Sequence, residues 1–163
     1  MQRRTLIKTG LAGAALLAAA GGAATWWRQD PAAQQAAVLQ ALIPALLEGA
    51  LPQGGDARSA AIAQTVATVQ EAIRRLAPEA QHELGQLFAL LASPPGRRLL
   101  AGVASPWENA SVPQVTAFLQ SWRTHRLGLM RSGYGALHDL VLGSWYAEPA
   151  HWSSIGYPGP RPL

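Results

Sequence analysis

From Pro31 to Tyr146 the large apolar residues recur at steps of three and four, and no stretch alternates as a half-buried strand does. Ile62, Val66, Val69, Ile73 and Leu76 follow steps of 4, 3, 4 and 3, which set them on one face of a helix. Leu84, Leu87, Phe88 and Leu91 repeat the pattern after Pro78, a residue suited to a first helical turn. Val115, Phe118, Leu119 and Trp122 share a face behind Ser111, a cap candidate, and Asp56 is the equivalent candidate earlier in the chain. A first helix runs through "AAQQAAVLQALIPALLEGA", kinked near Pro44 and stopped by "LPQGG". The last helix is apolar around much of its circumference. Met130, Tyr134, Leu137, Val141 and Trp145 form one row, and Leu129, Leu140 and Leu142 form a second. Such a helix is either central to its bundle or covered by a partner. The expectation is an all-α protein, an irregular bundle of about five helices over residues 31–144. It ends in an extended Pro-, Gly- and aromatic-rich tail at 145–163.

Charge changes the picture only at one end. Thirteen Lys and Arg against nine Asp and Glu give a net charge of +4 and a pI near 10.3. Arg3, Arg4, Lys8 and Arg28 all precede Pro31, which leaves nine arginines to face eight acids in the body. A body so nearly neutral lacks the basic patch that counterion release requires, so nucleic acid is not an expected partner. With no cysteine, disulfides, thiolate-held zinc or iron–sulfur clusters and covalently attached c-type haem are excluded.

The opening "MQRRTLIKTGLAGAALLAAAGGAATWW" resembles a twin-arginine export signal: Arg3 and Arg4, a variable residue, the apolar pair Leu6 and Ile7, then Lys8. No charge follows until Arg28, and the apolar stretch is weakly hydrophobic, with Leu11, Leu16 and Leu17 as its large aliphatics. The competing reading is a retained anchor, since the 19 uncharged residues Thr9–Trp27 would make a helix of about 28 Å, with Trp26 and Trp27 at an interface. Both place the body in a bacterial periplasm, with the twin-arginine translocase as one partner and membrane contact confined to residues 1–30.

Candidate chemistry in the body is sparse. His82, His125, His138 and His151 form no i, i+4 metal pair, no nucleophile elbow is present, and "SGYGALH" lies inside a helical pattern rather than a nucleotide-binding turn. Neither a catalytic set nor a cofactor or metal site is expected. A non-covalent haem on Met130 with His125 or His138 is the alternative from a different class. Arg123, Arg126 and Arg131 gather at the joint of the last two helices, either as a solvated face paired to Asp139 or Glu148 or as part of a recognition surface.

The ending "GSWYAEPAHWSSIGYPGP", joined to the leader and the helical body, is similar to the small, third-subunit family of gluconate 2-dehydrogenase. The positions that carry the likeness are Trp145 and Tyr146, Glu148 and Pro149, Trp152, Ile155 to Tyr157, and Pro158 with Gly159. The resemblance implies a non-catalytic subunit that supplies the export signal for a large FAD-bearing dehydrogenase of the glucose-methanol-choline type and stabilises it. A multihaem cytochrome c is often a third member of such complexes. FAD would sit in the partner. The expected contact residues are Trp145, Tyr146, Trp152, Ile155, Tyr157 and Pro158, with Arg123, Arg126 and Arg131 beside them. Stiff aromatic, Pro-rich segments lose little entropy on docking, yet the same residues suit packing on their own bundle.

Overall fold

The computed structural model describes residues 30–159, so the export-signal residues Arg3, Arg4, Leu6, Ile7 and Lys8 lie outside the described residues. Among the described residues the chain is all-helical, with six α-helices and no strand. In chain order they are α1 (Pro31–Leu46), α2 (Gly55–Arg74), α3 (Pro78–Ala92), α4 (Pro94–Leu99), α5 (Val112–Arg123) and α6 (Gly128–Tyr146). Two 3-10 turns, Trp107–Asn109 and Pro149–Ile155, complete the set. The second of these is a correction, because the segment after Tyr146 winds up rather than running extended.

Local chemistry explains most boundaries. The Asp30 carboxylate accepts from the Ala32 N–H at 3.0 Å and Pro31 occupies the first position of α1, where its missing donor costs nothing. Pro44 sits inside α1, which nonetheless continues to Leu46. Gly54, at φ 78°, caps α2, so Asp56 falls in the first turn as a favourable charge rather than as the cap. At α5, Gln114 Oε1 accepts from both the N–H and the hydroxyl of Ser111, which places the cap where the sequence put it.

The core is one cluster centred on α1, whose Val38, Leu39, Leu42 and Ile43 are fully buried. This helix packs on α2, α3 and α5, and α6 packs on α2 and α5. Two indoles fasten the connections to the core: Trp107 Nε1 donates to Leu91 O at 2.8 Å and Trp122 Nε1 to Leu100 O at 2.9 Å. Phe118 lies between them, 6.0 Å from Trp107 and 4.9 Å from Trp122 in centroid distance, so the aromatic packing runs unbroken across α5. Val66, Val69 and Ile73 of α2 are buried as the stripe predicts, while Leu76 lies beyond the helix end and is exposed.

Candidate functional site

The helices α3 and α6 make no substantial packing contact with one another, and an apolar groove of about 720 Å³ opens between them. Leu84, Leu87 and Leu90 of α3 form one wall, and Leu129, Met130 and Leu140 form the other. Its α4 end is lined by Leu99 and Leu100, with Trp122 below. The charged residues lining it, Glu83 and Asp139, are both acidic. Leu99 is 81% exposed, unusual for so large an aliphatic.

Two glycines shape the α4 end. Ser93 donates to Leu90 O at 2.7 Å and accepts from Gly96 N at 3.0 Å, folding the chain back sharply after α3. A Cβ on Gly96 would lie 1.9 Å from Leu90 O, so only glycine fits there. Gly133 lets the six-membered ring of Trp122 rest directly on α6, since a Cβ there would meet the ring at 2.7 Å. Trp122 thereby ties the first turns of α6 to Leu100, at the α4 end of the groove. Behind this end Arg97 is buried, its Nε without a hydrogen-bond partner among the described residues. Desolvation, and then Arg98, hold its pKa below the usual guanidinium value, while Glu108 opposes them.

The second candidate region is the aromatic end. Trp145 belongs to the core, at 4% exposure, and Tyr146 and Trp152 are half-buried. The chain folds back after α6: Trp152 Nε1 donates to Tyr146 O at 2.7 Å, and the His151 Nδ1–H donates to Trp145 O at 2.7 Å. The His151 ring is stacked on Trp145 with centroids 3.5 Å apart, and Tyr157 meets Trp152 edge-on at 5.3 Å. Ile155, Tyr157 and Pro158 are exposed. Of the six expected tail contacts, then, Trp145 is spent on the protein's own core and Trp152 is bound to its own backbone. Beside them lies a small cavity of about 40 Å³, lined in part by Thr65, Ser144, Glu148 and the Trp145 indole, whose Nε1 has no partner among the described residues; it has room for a water.

The arginines divide. Arg131 Nη1 donates to His125 O at 2.6 Å and Arg126 O at 3.1 Å, closing the joint between α5 and α6. Arg123 and Arg126 are exposed, and none of the three forms an ion pair with Asp139 or Glu148; Asp139 pairs instead with His138 at 3.0 Å. His125 Nδ1 accepts from Leu127 N at 3.1 Å and His82 meets Gln86 at 2.8 Å. Met130 lines the groove and neither His125 nor His138 does. No group of three or more His, Asp or Glu suited to a metal ion occurs among the described residues, and no described helix is long and apolar enough to cross a membrane.

Comparison with protein-family models, with curated proteins and with solved structures finds no match for this chain. The groove residues Leu84, Leu87, Leu90, Leu99 and Leu100 were not singled out as a site by sequence reasoning. A signal was present, because Leu84, Leu87, Phe88, Leu90 and Leu91 wrap more of α3 than one core stripe requires.

Proposed function

We propose that this chain is a non-catalytic accessory subunit that binds a partner protein through the groove between α3 and α6. The observation that carries the reading is the groove itself. Leucines on two facing helices remain unpaired with each other around about 720 Å³, and this apolar, open lining suits the nonpolar face of an amphipathic helix presented by another protein. The half-folded tail adds Ile155, Tyr157 and Pro158 as an exposed apolar rim elsewhere on the surface.

The leader and the resemblance of the ending favour an exported FAD-dependent dehydrogenase as that partner, with catalysis, FAD and any cytochrome c outside this chain. Its place is then the periplasm, reached by the twin-arginine route. The test is to produce such a dehydrogenase with and without this chain and assay the periplasmic fraction. Activity should depend on the chain and fall when Leu99→Asp is introduced at the groove mouth. Full periplasmic activity in its absence overturns the reading.

A further inference from the structure

We infer that, in the uncleaved chain, the apolar residues Leu11–Ala24 occupy the groove between α3 and α6. This deepens the proposed function, since it rests on the same groove accepting a helix, and it names what fills that groove before any partner arrives.

Position comes first. The Gln70 side chain donates to Ala32 O at 3.0 Å, which fixes the start of α1 beside the last turns of α2. From Gln70 the chain reaches Leu76, at one mouth of the groove, within about 10 Å. Thr25–Gln29 extends to about 16 Å, so the segment preceding it reaches that mouth with slack. Length agrees as well: Leu11–Ala24 wound as a helix measures about 21 Å, and α3, the wall it would follow, about 22 Å.

Chemistry agrees with position. Thr9–Trp27 carries no charge, so nothing ionised would be buried against the leucine walls. Its side chains are mostly Ala and Gly, which would let two helices approach it closely, and Leu11, Leu16 and Leu17 are the large aliphatics available to meet the groove's leucines. Ala80 and Glu83 lie in the first turns of α3, just after Leu76, and Asp139 and Leu140 are the α6 lining residues furthest along that helix from Gly133, which Trp122 holds at the α4 end. Arg28, the first charge after Thr9–Trp27, is opposite in sign to the two carboxylates that line the groove.

The absence of cysteine makes the test clean. Ala20→Cys with Ala80→Cys, in the full uncleaved chain, is treated with a short bis-maleimide; Ala20→Cys with Ala67→Cys is the control. Ala67 is exposed on α2 one turn before Gln70, whose side chain reaches the start of α1, and it does not line the groove. The groove pair should give an intramolecular product in about tenfold higher yield, the gain expected from holding two groups together. Equal yields overturn the inference, and so does a product that is mainly covalent dimer, which assigns the groove to the leader of a second copy. Should circular dichroism show that Ala80→Cys does not fold, Ala136→Cys on the opposite wall replaces it with the same expected result. The measurement is made on the chain alone, so its failure leaves the partner-dependence of dehydrogenase export as a separate question.

Discussion

The two ends of α6 carry similarly apolar sequence and meet opposite fates. Around Trp145 each large ring has a neighbour: the indole lies in the core, His151 stacks on it, and Trp152 is bonded to Tyr146 O and faced by Tyr157. Around Leu129 and Met130 the aliphatic side chains line an open groove whose opposite wall stands too far away to fill it. Aromatic rings with a polar atom can close on their own backbone through a hydrogen bond, and leucines have no such option. Self-closure consumes a surface, whereas an unfilled leucine groove offers one.

The largest expected effect tests whether the aromatic end belongs to the core. Trp145→Ala should destabilise the fold by about 3–5 kcal/mol in denaturant unfolding, as large-to-small changes at buried aromatics do. A loss below 1 kcal/mol would return that ring to the surface. Next comes the floor of the groove, where Gly133→Ala drives a methyl into the Trp122 ring and should cost about 1–3 kcal/mol. If its melting temperature matches the parent, Trp122 is free to move aside and the groove is wider than described.

Trp152→Ala should lower stability by about 1–2 kcal/mol, the combined loss of its hydrogen bond and its half-buried ring. Unchanged melting with a weakened complex would make the tail a docking surface after all. Leu99→Asp lies at the small end: with the side chain 81% exposed, stability should move by less than about 0.5 kcal/mol while partner binding falls. Coincident loss of both would mean that Leu99 supports the fold and not the interface.

The smallest effect concerns α2, away from both regions. Hydrogen bonds from Arg74 and then Arg75 hold the Glu71 carboxyl below its usual pKa. A depressed carboxylate contributes its stability above the ordinary pKa and loses it as pH falls through the folded value. Acid unfolding of Glu71→Gln should therefore be slightly less steep than that of the parent. The group is exposed, so added salt should erase the difference.

Much of the fold is legible from local chemistry. The rows Val66, Val69 and Ile73 and Val115, Phe118, Leu119 and Trp122 are buried as their spacing requires, and Ser111 with Gln114 marks its helix start. Asp56 misleads because Gly54, at positive φ, takes the cap position two residues earlier than the side-chain signal suggests. Among the contact residues expected in the tail, Ile155, Tyr157 and Pro158 stay exposed, while Trp145 turns inward. Prolines forbid a long α-helix through 149–158, but they leave open whether the chain runs out or turns back.

The sequence by itself determined most of the helices, the start of α5 and the rows that share a face, because those depend on periods of three and four residues and on caps close along the chain. Only the tertiary structure decided which rows find each other. Leu84 and Leu87 fall in the same predicted stripe as Phe88 and Leu91, yet the first pair lines the groove and the second is buried against α1 and its neighbours. The α4 end of that groove is shaped by Trp122 resting on Gly133 and by the sharp turn at Gly96. The Trp122–Gly133 contact joins two different helices, so no period within either one encodes it.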